Sequence, residues 1–442
     1  MLGLKKWFLI GISASLVGGA TMISSAAADE QFVPLPSYRV GPYAAGGTGL
    51  YGGFIDYMNM INIRDGGING VKLTWEECET EYSTPRGVEC YERLKNKGPT
   101  GASVFNFVST GMTYAVIERA TNDKIPIMSM GYGRTDASDG RVFPYIFPII
   151  TNYWSQNTAK IKFIGMKEGG MDKLKGKHIV NLHHGSGYGR ETIPVLNKQA
   201  EIYGFKVSHL EVPHPGADQK SQWLQIRRMK PDWVILRGWG VMNPTALKEA
   251  ARMRFPADKI VGVWWSGAEE DVIPAGKAAK GFIAAGFHPA GTDFPAIQDI
   301  IKHVYDDGKG NLSDKKRLGT IYWNRGIIHG VVTVEAIRTA QEKFGKKSLT
   351  GEQVRWGLEN INIDEGRLNE LGVAGLMMPI KLSCYDHEGG GSVKFQQWDG
   401  SKWNVITDWI KSDQSIVRPM IEESAAKYAK EKGITPRDCP KT

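Results

Sequence analysis

Residues 177–212 read KHIVNLHHGSGYGRETIPVLNKQAEIYGFKVSHLEV. The apolar run Ile179, Val180 and Leu182 predicts a strand, and it empties into a loop built on Gly185, Gly187 and Gly189. Residues 190–203 then read as a helix that stops at Gly204, the residue type that most easily closes a helix. A second strand, FKVSHLEV, follows at once. No hairpin turn separates the two strands. A strand, a helix and a strand in that order make a parallel pair, with the sheet covered by helices on both faces.

The same order extends in both directions. Upstream, residues 38–43 (YRVGPY) read as a short strand entering a glycine-rich loop, and Phe54, Tyr57, Met58 and Ile61 then recur at helical spacing. Residues 70–77 (GVKLTWEE) alternate as a strand, and Gly70-Val71-Lys72-Leu73 echoes Gly204-Phe205-Lys206-Val207. A helix is expected from Thr84 as N-cap with Pro85 in the first turn and Gly98 past the end. Then come a strand in ASVFNFVS, a helix in TYAVIERATNDK and a strand in IPIMSMG. Downstream, Asp218 is expected to cap QKSQWLQIRRMK, followed by the strand PDWVILRG, the helix NPTALKEAARMR and the strands KIVGVWWSG and KGFIAAGF. Two similar series imply two α/β lobes, with the step between them near residues 149–154 (IITNYW).

Composition narrows the class. Residues 1–28 carry Lys5 and Lys6, an apolar stretch and Ala26-Ala27-Ala28, the layout of a cleaved export signal. The remaining stretch of about 414 residues suits two domains and carries a net charge of about +6 once those two lysines leave the formal +8. Its basic residues are scattered and not interleaved with aromatics, which argues against a nucleic-acid surface. Four cysteines in an exported chain suggest two disulfides, with three possible pairings; Cys78–Cys90 and Cys384–Cys439 are the favoured ones. His183 and His184 lack a further ligand at metal spacing, so no metal site is expected.

Gly47-Thr48-Gly49-Leu50-Tyr51-Gly52 matches G-x-G-x-x-G. A dinucleotide site also requires the glycines directly after a strand and an acid about 20 residues on; neither condition holds, so no cofactor is expected. The plainer expectation is a glycine loop that aims backbone N–H groups at an anion from a helix N-terminus. HHGSGYG has His184 where a nucleophile elbow needs its first glycine. No nucleophile, paired carboxylates or metal cluster stands out, and no catalytic residue is expected.

The stretches YRVGPYAAGGTGLYGGF, RDGGINGVKLTWEECE, VFNFVSTGMT, IPIMSMGYG, HHGSGYGRE and MPIKLSCYDHEGGGSVKFQQWDGSKW occur in an order that resembles the type I periplasmic binding proteins, close to the leucine/isoleucine/valine-binding family of ABC importers. The resemblance covers about residues 36–411. It implies two Rossmann-like lobes with parallel sheets, joined by a three-crossing hinge, with the ligand between them. Lobe one would be 36–150 plus 287–380, lobe two 151–286 plus 381–411, and 412–442 a C-terminal tail. It also implies a monomer in the periplasm that delivers its ligand to a membrane permease with its ATPase subunits. Ser109, Thr110, Thr113, Gly131, Tyr132 and Gly133 match the family's carboxylate cradle, while Ser109 and Thr110 read equally well as helix caps. Gly133 stands where the family often has Thr, which removes one donor. Tyr188 and Trp239 match ligand-facing aromatics, and Tyr43 and Tyr51 in the first stretch are counted with the ligand-binding residues.

Residues 263–271 (VWWSGAEED) sharpen the expectation. Amino-acid binders of this family place an acid near here for the ligand ammonium; this chain places Trp264 and Trp265, and Glu269 follows a turn later. If the strand continues, the two rings face opposite sides, with Trp265 on the cleft. An ammonium buried without a partner is costly, so the expected ligand is a small organic carboxylate, aromatic acids included. The alternatives are a branched-chain amino acid or amide as ligand, a ligand-sensing role, and two rings that merely fill core and hinge.

Overall fold

The computed structural model describes residues 1–4 and 29–441; residues 5–28, on which the export-signal reading rests, lie outside them. Chain order begins with β1 (Glu30–Leu35), α1 (Ala44–Asp65), β2 (Lys72–Glu77), α2 (Thr84–Leu94), α3 (Thr110–Asp123), β3 (Ile127–Met128) and β4 (Ile146–Phe147). β1 and β2 pair in parallel, as do β3 and β4. Residues 102–106 bridge the two pairs. Ser103 N–H donates to Phe32 O at 3.1 Å, Phe105 N–H to Pro126 O at 2.9 Å and Met128 N–H to Phe105 O at 2.8 Å.

A second, larger sheet follows. Its elements are α4 (Tyr153–Glu168), β5 (His178–His184), α5 (Gly187–Arg190), α6 (Ile193–Tyr203), β6 (Lys206–Val212), α7 (Lys220–Met229), β7 (Trp233–Arg237), α8 (Met242–Arg252), β8 (Ile260–Gly262), α9 (Glu269–Val272) and β9 (Ile283–Gly286). The chain then runs through α10 (Pro295–Ile300), α11 (Ile321–Phe344), α12 (Gly351–Glu359), β10 (Asn362–Ile363), α13 (Glu365–Glu370) and β11 (Ile380–Lys381) before β12 (Ser392–Trp398), β13 (Trp403–Val405) and β14 (Ile410–Lys411) return to the larger sheet. Its strand order is β13-β12-β9-β8-β7-β5-β6, with β14 against β12. β5 to β9 are parallel and β12 to β14 antiparallel. The helices α7 and α8 cover one face, through Trp223, Ile226, Leu247 and the strand residues Val180, Leu182, Val234 and Leu236. The chain closes with α14 (Gln414–Lys432), whose Val417 and Ile421 pack on Trp154 and Val195 while Ala425 and Tyr428 join the Phe143 cluster beside the smaller sheet. The tail is thus a strap over both sheets.

Several local expectations change. Residues 38–43 are a turn, because Gly41 (φ +85°) breaks the extended chain and Pro42 has no N–H for a ladder. The first strand is the earlier β1. The glycine-rich segment is no loop: Gly46, Gly47, Gly49, Gly52 and Gly53 lie inside α1. They permit close helix packing rather than anion binding. A Cβ on Gly53 would sit 2.0 Å from Trp323 O of α11, and one on Gly326 of α11 would sit 2.0 Å from Leu50 O. Thr84 is the first residue of α2, with Ser83 at its N-cap, and Gln219 rather than Asp218 is the N-cap residue of α7. Sulfur atoms of Cys78 and Cys90, and of Cys384 and Cys439, are joined in disulfides that span 12 and 55 residues of sequence.

Candidate functional site

One cavity lies between the two sheets, walled by Tyr82, Val108, Thr110, Tyr132, Tyr153, Tyr188, Trp239 and Trp265. Most of these follow the carboxyl end of a parallel strand: Tyr82 after β2, Tyr132 after β3, Tyr188 after β5, Trp239 after β7 and Trp265 after β8. That is where open parallel sheets collect their ligands. The space inside the wall that a water-sized sphere can occupy is about 10 Å³, about one water.

The wall is held by its own hydrogen bonds. Ser109 caps α3 by accepting from Met112 N–H at 3.4 Å, and Thr113 Oγ1 donates to Ser109 O at 2.9 Å. Thr110 Oγ1 accepts from Gly133 N–H at 3.2 Å. Tyr132 OH accepts from Val108 N–H at 2.8 Å and reaches Asn106 Oδ1 at 2.8 Å. Those contacts secure Val108, a β-branched residue at φ +47°. Such a conformation costs on the order of 1–3 kcal/mol and persists only where its surroundings impose it. Tyr188 OH donates to Gly238 O at 2.8 Å. Burial raises the Tyr82, Tyr132, Tyr153 and Tyr188 hydroxyls above the ordinary phenol range, so they stay protonated.

The two tryptophans of residues 263–271 meet in an arrangement that strand alternation does not produce. β8 ends at Gly262, so Trp264 and Trp265 lie in the turn beyond it. Both indoles donate to one carbonyl across the cleft, Gly131 O, at 2.8 Å and 3.0 Å. Trp265 lines the cavity; Trp264 packs against Tyr153 and Phe287. Trp239 meets Trp265 edge to face at 5.3 Å between ring centroids, and its Nε1–H has no partner.

The acids that follow grip the start of α11 and the turn just before it instead of facing the cavity. Glu269 accepts from Ile321 N–H at 2.9 Å, Glu270 pairs with Arg317 at 2.7 Å and Asp271 accepts from Tyr322 OH at 2.7 Å and Asn243 Nδ2 at 2.8 Å. Burial pushes the Glu269 and Asp271 carboxyls up to about 7. Among the described residues, no carboxylate and no ammonium or guanidinium lines the cavity. The guanidinium of Arg237 lies one layer back, 3.9 Å from the Tyr153 ring and 4.6 Å from the Tyr188 ring.

Of the residues named from sequence, Thr110, Tyr132, Tyr188, Trp239 and Trp265 come together on the wall. Ser109, Thr113, Gly131 and Gly133 support it from behind through the bonds above. Tyr43 and Tyr51 do not line it. Tyr43 lies at the start of α1, with its OH 2.8 Å from His184 Nε2 and its ring nearly parallel to Trp239. Burial holds that histidine down at about 4, so it is neutral. Tyr51 OH is engaged by Pro36 O at 2.7 Å and Asn106 O at 3.0 Å. The sequence reading missed Tyr82, Val108, Tyr153 and Arg237. Tyr153 sits at the step between the two series, which was a usable signal; Tyr82 and Val108 reach the wall through left-handed backbone that no periodicity announces.

Among the described residues, no helix is long and apolar enough to cross a membrane and no group of three or more His, Cys, Asp or Glu could hold a metal. Residues 30–402 match the family described as periplasmic binding protein. No curated protein matches the sequence. Among solved structures, one described as an ABC transporter permease from the Pseudomonas fluorescens group is 51% identical, covering 93% of this chain and 100% of that one, with a TM-score of 0.87. A branched-chain amino acid ABC transporter protein from Thermus thermophilus, with bound valine, is 20% identical over 89% of this chain and 99% of that one, TM-score 0.74. A solute-binding protein from R. palustris in complex with benzoate is 17% identical over 87% and 97%, TM-score 0.67.

Proposed function

The chain belongs to the periplasmic binding proteins and is a substrate-binding protein of an ABC transporter, and on that premise we propose that it captures a small organic carboxylate in the cavity between its two sheets. Such proteins are solute binders rather than enzymes and work with permease and ATPase components. The proposal extends to export: this chain would operate in the periplasm as a monomer, with lobe one formed by 36–150 and 287–380 and lobe two by 151–286 and 381–411.

The observation that carries the ligand class is the wall itself. Its free polar groups are donors, chief among them the unpartnered Trp239 Nε1–H and the amino-terminal turn of the 14-residue α3 at Thr110. A helix N-terminus favours an anion. An α-ammonium would find no acid, because Glu269, Glu270 and Asp271 are engaged with Ile321, Arg317 and Tyr322. Leaving that charge buried and unpaired would cost several kcal/mol.

A thermal-shift screen of the purified protein tests this with short aliphatic monocarboxylates, benzoate, the matching amides and branched-chain amino acids. The expected result is stabilisation by one or more short carboxylates and none by leucine or valine. Tight binding of valine, or of a neutral amide but not its acid, refutes the carboxylate reading while leaving the fold and family intact.

A further inference from the structure

Behind the cavity, between α4 and the larger sheet, lie a buried lysine and a buried arginine with no acid paired to them among the described residues. Tyr153, Gln156 and Lys160 share one face of α4 at helical spacing, with Asn157 beside them. Across from them, Asn181 on β5 and Arg237 on β7 point from the same sheet face, since His183 is in register with Arg237 and Asn181 is two residues earlier. All five polar side chains, Gln156, Asn157, Lys160, Asn181 and Arg237, are fully buried.

Their hydrogen bonding is unbalanced. Arg237 uses Nε to donate to Tyr188 O at 2.9 Å, but both Nη atoms have no partner. Lys160 Nζ has none, nor has either amide atom of Gln156. Asn157 donates to Gln199 Oε1 at 2.8 Å and Asn181 lies 3.2 Å from His209 Nδ1, which uses one N–H of each amide and leaves both carbonyl oxygens without a partner among the described residues. The orphaned N–H groups therefore outnumber the lone pairs of the three orphaned carbonyl oxygens. The charge is unbalanced as well. Burial first, and the charge of Arg237 second, hold Lys160 well below the ordinary lysine range, so without an anion its amine is pushed toward the neutral form. His183 and His209, the titratable groups nearest on the sheet side, are held below the ordinary histidine range by burial and stay neutral. A buried guanidinium with no acid beside it, next to an amine that burial pushes toward its neutral form, is an arrangement that a bound anion would relieve.

We infer that Lys160, Arg237 and the Gln156 amide form a binding site for a small inorganic anion of halide size, with the Asn157 and Asn181 carbonyls orienting the ammonium. One halide would offset one of the two positive charges the pair can carry and accept surplus N–H groups. Through Arg237, stacked on Tyr153 and Tyr188, the site also braces two walls of the ligand cavity. This inference does not depend on which ligand the cavity takes.

The test uses the intact protein. Crystals grown in bromide should show an anomalous peak within hydrogen-bond reach of Lys160 Nζ and Arg237 Nη. Melting curves at constant ionic strength should show Tm rising saturably as chloride or bromide replaces a large organic anion. A concentration one hundred times the dissociation constant should raise Tm by about 3 °C for a cooperative unit of this size. The halide response should vanish in Lys160→Met and persist in Lys173→Met, an exposed control. A map with water alone at the site, or a wild-type Tm indifferent to halide, overturns the proposal. Should Lys160→Met fail to fold, the bromide map of the wild type decides.

Discussion

The paired indoles on one carbonyl make a quantitative test of how the cleft is held shut. Trp264 and Trp265 donate to Gly131 O at 2.8 Å and 3.0 Å, and all three residues are buried. Replacing either Trp by Phe keeps most of the ring and removes one N–H. Because the carbonyl keeps its other donor, each single change should cost only the net worth of one hydrogen bond, about 1 kcal/mol, or about fivefold in the balance of closed over open forms. The double change leaves Gly131 O buried with no indole donor and adds the desolvation penalty of an orphaned acceptor, about 1–3 kcal/mol. The double variant should therefore lose about 3–5 kcal/mol against about 2 kcal/mol for the sum of the singles, a coupling that a double-mutant cycle isolates. Small-angle scattering with and without the ligand found by screening reports the closed fraction, and calorimetry reports the affinity. If the double loss equals the sum of the singles, the shared-acceptor reasoning is wrong. If the profile stays compact throughout, the bonds do not govern closure.

The acids that grip α11 predict a pH dependence. Burial raises Glu269 from 4.5 to about 7 in the fold, so its contribution is fully present below 4.5 and is lost as pH rises through 7. Glu269→Gln should flatten that decline by on the order of 3 kcal/mol, the linkage value of the shift, measured by urea unfolding between pH 4.5 and 8; an unchanged slope would refute it. His184 acts in the opposite sense, since its fold-state value lies at about 4, below 6.5: stability should be lost as pH falls from 6.5 toward 4, and His184→Gln should reduce that loss. Gly53→Ala places a Cβ 2.0 Å from Trp323 O. The forced separation of α1 and α11 should lower stability by about 2–3 kcal/mol, whereas Ala at exposed Gly66 should show no such packing clash and only the strain of its left-handed backbone. Peptide mapping without reductant should recover Cys78–Cys90 and Cys384–Cys439 peptides. Reduction should cost about 3 and about 4 kcal/mol respectively in the loop-entropy account, and a Cys90–Cys384 peptide would contradict the pairing.

Sequence periodicity by itself determined the order of strands and helices and their parallel pairing, because the 2-residue and 3.6-residue repeats and the Gly204 stop are local properties of the chain. The family resemblance brought Thr110, Tyr132, Tyr188 and Trp239 forward, and the reading of residues 263–271 added Trp265; Tyr132, Tyr188, Trp239 and Trp265 follow parallel strands, whose carboxyl ends converge. Local patterns failed where long-range contact decides. The glycines of residues 46–53 look like a ligand loop until α11 is seen pressed against them. The strand ending at Gly262 looks longer, and so the two tryptophans look opposed, until both are found reaching for Gly131 from a turn. Glu269 reads as the nearest acid to a ligand charge, yet it and its neighbours Glu270 and Asp271 are taken out of the cavity by Ile321, Arg317 and Tyr322, some fifty residues away. Lys160 and Arg237 carry no signal at all in one dimension. Only the packing of α4 on the sheet puts two basic side chains in the same interior without an acid, because burial and charge compensation are properties of the folded volume and not of the chain.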